Sequence, residues 1–184
     1  MSLSAARLAQ GQKGEMAAMV YMQSDPGCHR FIDVRKDVKY YMDDIDFILE
    51  RKDGKRIKLE AKTDTLGDRY GNFCFPIKTI YTNNPRMKEL LGWPFRSKAD
   101  IITIYDEVNQ ILYVFELEKF RKFYKKYTAN YQIRSIHRID KDNPDISREI
   151  ALIPKRFVEQ ITKAKMSILE FDENKKYSKM VPNL

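Results

Sequence analysis

Residues 43–64, DDIDFILERKDGKRIKLEAKTD, place one Asp-Gly turn signal between two runs of strand-forming residues, and the length of that turn decides which side chains meet. Successive side chains of a strand point to opposite faces. In the second arm Ile57, Leu59, Ala61 and Thr63 point one way and Lys58, Glu60, Lys62 and Asp64 the other; in the first, Ile45, Phe47 and Leu49 oppose Asp44, Asp46 and Ile48. A two-residue loop at Asp53-Gly54 sets Phe47 across from Glu60 and mixes the polar and apolar faces, which burial of one face disfavours. A three-residue loop, Lys52-Asp53-Gly54, with Gly54 in the left-handed position of a bulged turn, pairs Ile45 with Ala61, Phe47 with Leu59 and Leu49 with Ile57. All apolar partners agree in that register.

The same register sets Asp46 opposite Glu60 and Asp44 opposite Lys62. Carboxylates directly across a strand pair destabilise it by about 0.2–1 kcal/mol. A hard divalent cation such as Mg²⁺ offsets this, because it accepts one or two carboxylates and completes its shell with water and substrate phosphate. Lys62 shares that face and is suited to orienting or deprotonating a water, or to stabilising charge that develops on phosphorus. The competing reading is a solvated sheet face laced with Lys and Glu. The register favours a site, since a solvated face more naturally sets Lys, not Asp, across from Glu60.

Asp46, a turn, then Glu60-Ala61-Lys62 resembles the signature of the PD-(D/E)XK nuclease superfamily, in which an acid on one strand precedes acid-x-lysine on the next. YGNFCFPI (70–77), GWPFRSKADIITIY (92–105) and QILYVFELEKFRKFY (110–124) are similar to segments that follow the catalytic hairpin in one branch of that superfamily, so the resemblance covers roughly residues 12–160. It implies an α/β fold, a restriction endonuclease-like mixed β-sheet flanked by helices. It also implies Mg²⁺, with Mn²⁺ able to substitute, held by Asp46, Glu60 and the main-chain carbonyl of Ala61, with Lys62 as the catalytic lysine. Ile45 stands where the signature has proline, so Asp44 competes with Asp46 for the first acid; Asp46 is preferred because Phe47-Ile48-Leu49 follows it and because it faces Glu60. Members often carry a further acid on the first helix, which makes Glu15 a candidate ligand. The plainer reading of Glu15 is an ion pair with Lys13 or a neighbouring lysine. The implied activity is endonucleolytic hydrolysis of DNA; the alternative is a module that keeps the fold and binds nucleic acid without cutting it. Many relatives cut two strands as dimers, so a homodimer is allowed.

The remaining composition narrows the partners. With 34 Lys and Arg against 26 Asp and Glu in 184 residues, the net charge is +8, a balance that favours a polyanion. No apolar run reaches membrane-spanning length and no signal-peptide core stands at the start, so no membrane partner and a cytoplasmic location are expected. Cys28 and Cys74 form no CxxC, which argues against a zinc or iron–sulfur centre and for free buried thiols. No phosphate-binding glycine loop, nucleophile elbow or dinucleotide fingerprint occurs.

A single domain is expected over 1–172, with 173–184 a frayed tail. The patterns predict a helix over 4–23 with Leu8, Glu15, Met19 and Met22 on one stripe, and a strand over 31–42 leading into the hairpin. They further predict a polar connection over 64–70, a strand over 71–78, an irregular stretch over 79–98, and a strand pair over 99–105 and 111–117, the second buried on both faces. A basic helix follows over 118–127, with Phe120, Phe123, Tyr124 and Tyr127 inward, then a strand over 148–153 and a helix over 154–169. Arg96, Lys98, Lys122 and Lys125 are candidate nucleic-acid contacts, where lysine and arginine hold phosphates without reading sequence; as ordinary surface charges they need no such role.

Overall fold

The computed structural model describes residues 3–65, 71–83, 89–130, 135–139, 145–168 and 180–182. Strand β2 (Phe47–Arg51) lies antiparallel to β3 (Arg56–Asp64) with Phe47 across from Leu59 and Leu49 across from Ile57, the register expected for the three-residue loop. The Arg51 amide donates to the Lys55 carbonyl (2.8 Å), and Gly54 closes the turn at φ +81°, a conformation in which a Cβ is strained.

Before Phe47 the ladder stops, and here the expectation is corrected. Ile45 does not pair with Ala61, Asp46 with Glu60, nor Asp44 with Lys62: the Ile45 amide donates to the Tyr40 carbonyl (3.0 Å), the Asp46 amide to the Leu59 carbonyl (2.9 Å), and Asp44 takes a left-handed backbone at φ +50°. The preceding segment is not one strand over 31–42. Strand β1 (Cys28–Asp33) pairs with β2, and the chain then enters the short helix α2 (Val38–Met42), whose first turn is capped by the Asp37 carboxylate accepting from the Lys39 amide (2.9 Å). The cap wins over strand propensity because an Asp three residues before a Tyr-Tyr pair satisfies helical amides that a strand leaves to solvent.

Among the described residues the main sheet runs β1-β2-β3-β6-β7-β10-β11, with β6 at Ile101–Asp106, β7 at Ile111–Glu116, β10 at Ala164–Ile168 and β11 at Met180–Pro182. Only the β3–β6 pair is parallel, so the sheet is mixed. A second, antiparallel sheet runs β5-β4-β9-β8, with β4 at Asn72–Tyr81, β5 at Glu89–Leu91, β8 at Ser135–Ile139 and β9 at Ile146–Pro154. Every residue of β6 is buried, as is Leu112 to Phe115 in β7, which matches the run ILYVF.

Each face of the main sheet has its own core. On one, α1 (Leu3–Gln23) packs Ala17, Ala18 and Met22 against Phe47, Leu49, Leu59, Ala61, Ile101 and Tyr105. The buried stripe is therefore Gly14, Ala17, Ala18 and Met22 rather than one through Glu15 and Met19, because small side chains let the helix approach β3 closely. A Cβ at Gly14 would lie 2.3 Å from Thr63 Oγ1 and 2.8 Å from the Lys62 carbonyl. On the other face, Ile48, Ile102, Ile104 and Phe115 meet Phe73, Phe75, Ala151 and Ile153 of the second sheet and Phe120, Tyr124 and Tyr127 of α4 (Leu117–Asn130). Burying each such aliphatic or aromatic side chain contributes about 1.5–3 kcal/mol.

Four further expectations change. The stretch 79–98 contains the end of β4, strand β5 and the short helix α3 (Trp93–Arg96), while 84–88 lies outside the described residues, as does most of the connection over 64–70. The helix expected over 154–169 is only α5 (Lys155–Val158) and one 3₁₀ turn (Glu159–Ile161) before β10, whose edge on β7 supplies the backbone partners a helix would have made internally. Within the tail expected to fray, Met180–Pro182 pairs with β10, where an open strand edge offers unpaired backbone groups. Neither cysteine forms a disulfide, and neither is buried as expected: Cys28 is half-buried and Cys74 exposed.

Gly14→Ala is expected to lower unfolding stability by about 1–3 kcal/mol, the usual range for overpacking a tight contact. Urea denaturation should show a lower midpoint with an unchanged slope; an unaltered midpoint would contradict the close approach of α1 to β3.

Candidate functional site

Asp46 sits where the chain leaves the hairpin, and three hydrogen bonds fix it there. Its amide donates to the Leu59 carbonyl (2.9 Å), its carbonyl accepts from the Val34 amide (3.0 Å), and its Oδ2 accepts from the Ala61 amide (2.8 Å). The first acid is thus tied to the strand that carries the second. Glu60, in the middle of β3, is only 2% exposed. Its Oε1 accepts from Lys62 Nζ, while its Oε2 is buried with no hydrogen-bond partner. Burial, reinforced by the negative charges of Asp46 and Asp44, pushes the Glu60 carboxyl up to about 8 even though Lys62 opposes the rise. A buried carboxylate oxygen with no partner is costly, so its position is one that a cation or a proton would stabilise.

Lys62 is one-third exposed, and its ammonium lies 5.9 Å from the centre of the Trp93 ring. It lines each of three adjoining hollows. The first, about 350 Å³, is walled by Arg35, Tyr41, Asp44, Asp46, Glu60 and Arg96. The second, about 220 Å³, runs along Thr63, Phe73, Phe75 and Trp93; the third, about 380 Å³, lies between Gly11 and Glu15 of α1 and Asp46, Ala61 and Thr63. Trp93 stacks on Phe120 and meets Phe75 at a tilt, so its ring is held by the core while it also borders the lysine.

The rival first acid is occupied. Asp44 takes a forked pair from Arg96, through Nε (2.5 Å) and Nη2 (2.6 Å), and its carbonyl accepts from Ser97 Oγ (3.0 Å). That clamp holds Asp44 in its left-handed turn and brings Arg96 into the cleft. Glu15 borders the third hollow, and its pairing is with Arg35 rather than Lys13, which reaches Glu107 instead. Burial holds the Glu15 carboxyl above its ordinary range; Arg35 opposes this and Asp46 adds to it, which places Glu15 within electrostatic reach of Asp46. Among the described residues, no group of three or more His, Cys, Asp or Glu stands at metal-holding spacing, so Asp46, Glu60 and Glu15 are neighbours rather than a closed cage.

Of the basic candidates, only Arg96 lines the cleft. Lys98 is two-thirds exposed and pairs with Asp43 (2.7 Å), and Lys122 and Lys125 stand exposed on the outer side of α4. Arg35, Tyr41 and Met42 line the cleft although the sequence pattern does not single them out. The signal that marks them is Asp37 as a helix cap, which turns the segment after β1 toward the site.

No protein-family model and no curated protein matches the chain. A solved structure of a bacterial homing endonuclease, I-Ssp6803I, is similar to it with a TM-score of 0.46 and 19% sequence identity, covering 62% of this chain and 71% of that one.

The raised Glu60 carboxyl has a signed consequence. Unfolded, the group ionises near 4.5, and folded near about 8. Between those values the unfolded chain holds fewer protons than the folded one, so this group lowers stability as pH rises. In chelator, the stability advantage of Glu60→Gln over the wild type should grow by on the order of 2–4 kcal/mol from pH 5 to pH 8. Parallel urea midpoints across that range would contradict the assignment.

Proposed function

We propose that the chain is a divalent-metal-dependent nuclease of the PD-(D/E)XK type that hydrolyses phosphodiester bonds of DNA. The observation that carries this reading is the partnerless, buried Oε2 of Glu60 within electrostatic reach of Asp46, with the Lys62 ammonium paired to its other oxygen. The donor types suit Mg²⁺ or Mn²⁺: the Asp46 and Glu60 carboxylates, with the Ala61 carbonyl, would supply hard oxygen ligands and leave room for water and phosphate, while Glu15, paired with Arg35, stands outside that set. A bound divalent ion supplies Lewis acidity toward a phosphoryl oxygen and lowers the pKa of a coordinated water.

The chain's own groups do the rest. Asp46, fixed by the Ala61 amide, and Glu60 orient the acidic face of the cleft. Lys62, engaged by Glu60 in the resting site, is positioned to donate to the attacking water or to the non-bridging oxygen that gains charge. Arg96 and Arg35 line the same cleft and offer guanidinium groups to the phosphates on either side. The water oxygen bonds to phosphorus while giving up a proton to solvent, the strand's P–O bond breaks, and the departing oxygen takes up a proton from solvent, leaving a phosphate monoester and a hydroxyl. The cleft is less basic than the chain around it: Asp44, Asp46 and Glu60 equal Arg35, Lys62 and Arg96 in number along its walls, while the chain as a whole carries +8.

Supercoiled plasmid incubated with the protein and Mg²⁺ or Mn²⁺ should be nicked, and chelator should stop it. Asp46→Ala, Glu60→Ala and Lys62→Ala should each reduce nicking by about 100-fold or more, the usual loss when a transition-state contact is removed. Plasmid left intact but retarded on a gel would favour a binding module that does not cut. Nicking unchanged in all three variants would overturn the site.

A further inference from the structure

Helix α2 holds its tyrosines in opposite roles. Tyr40 packs against the core and its carbonyl accepts from the Ile45 amide (3.0 Å), whereas Tyr41 and Met42 are 70% and 68% exposed and line the wall of the cleft that holds Asp46 and Glu60. The helix is too short to be stable alone, but the Asp37 cap and the Tyr41 amide bond to the Asp37 carbonyl (2.9 Å) present the two side chains on a fixed backbone. Single exposed apolar residues are ordinary on protein surfaces. Two adjacent ones bordering a charged cleft are not explained by solvation. Lys36 and Lys39 are exposed on the same segment, and Arg35 and Arg96 line the cleft itself.

Cations interleaved with an aromatic ring and a thioether match a partner that is anionic along its backbone and flat and apolar at its side groups. A nucleic-acid strand has both properties: its phosphates suit the lysines and arginines, and the face of a base suits Tyr41 and the polarisable sulfur of Met42. We propose that Tyr41 and Met42 form a stacking platform for an unstacked nucleobase flanking the phosphate that enters the Asp46–Glu60–Lys62 cleft. This rests on the nuclease reading and gives it a substrate class, DNA whose base beside the cut is out of the helix stack, as in a single strand, a mismatch or a junction. A base still stacked in a matched duplex has its faces covered by its neighbours and must first be unstacked at a cost of a few kcal/mol.

The probe is a short oligonucleotide carrying 2-aminopurine, whose fluorescence falls when it stacks on a ring, titrated with the full chain in Ca²⁺. Single-stranded and mismatched forms should bind more tightly than the matched duplex, with quenching. Tyr41→Ala and Met42→Ala should weaken single-strand binding, the tyrosine variant by about 5- to 100-fold, and Tyr41→Phe, which keeps the ring, should restore affinity and quenching. Far-UV circular dichroism confirms that these surface variants stay folded. Plasmid nicking by the wild type together with unchanged oligonucleotide affinity in both alanine variants would overturn the platform while leaving the nuclease reading intact. A wild type that binds no form of the oligonucleotide would overturn both. Loss of a dimer in Tyr41→Ala on sedimentation, with affinity unchanged, would reassign the patch to contact between copies of the chain.

Discussion

The register of β2 against β3 governs the rest of the molecule. The loop of Lys52, Asp53 and Gly54 turns the chain so that Phe47 meets Leu59 and Leu49 meets Ile57, and these pairs face α1 together. Once they do, Glu60 must point to the opposite face, into the layer between the main sheet and the second sheet with α4. There it is only 2% exposed, at the inner end of the cleft. A loop one residue shorter would turn Glu60 toward α1 and send Leu59 into the cleft. The closely packed Gly14 holds α1 against β3 and so forms one side of the third hollow, where Glu15 and Asp46 both stand.

Two buried acids with lysine partners show what distinguishes the site from ordinary structure. Asp106 is fully buried at the end of β6, yet Lys155 and the Asn109 side chain (2.9 Å) donate to its Oδ2 and the Asn109 amide reaches its Oδ1 (3.3 Å). Burial raises its carboxyl, but these donors outweigh burial and leave it below the ordinary range. Glu60 has one lysine and one partnerless oxygen, with Asp46 and Asp44 adding repulsion, and its carboxyl ends near 8. The first pair is a satisfied structural contact. The second is an incomplete one, and a carboxylate left short of donors beside a second acid is the kind of group that a divalent cation completes.

Much of this arrangement is legible in the sequence, for reasons that can be named. The alternation of Ile57, Leu59 and Ala61 against Lys58, Glu60 and Lys62 fixes which residues share a face, and Gly54 fixes the turn, so Glu60 and Lys62 fall on one face by local rules, while Asp46 joins them from beyond the ladder through the Ala61 amide. The run ILYVF in β7 and the apolar side of α4 follow equally from burial. What local rules do not reach is where the ladder ends. Ile45 belongs by alternation with Phe47, but its amide bond to the Tyr40 carbonyl of the capped helix and the Arg96 clamp on Asp44 turn the chain, and Ile45 enters the opposite core. The same turn brings α2 to the cleft and makes Arg35 and Tyr41 site residues. Both effects rest on partners some 50 residues away or on a single cap, and neither leaves a periodic trace in the chain. The strands β10 and β11 are hidden for a related reason: a sheet edge, not their own composition, gives their backbones partners.

The central claim is that Asp46 and Glu60 share one divalent ion, and anomalous scattering from a crystal soaked in Mn²⁺ tests it most directly. The account predicts a peak within bonding distance of a carboxylate oxygen from each of the two residues, with the Lys62 ammonium displaced from Glu60. A peak that touches neither carboxylate, or a soaked crystal with no peak in the cleft and the Lys62–Glu60 pair intact, would contradict it.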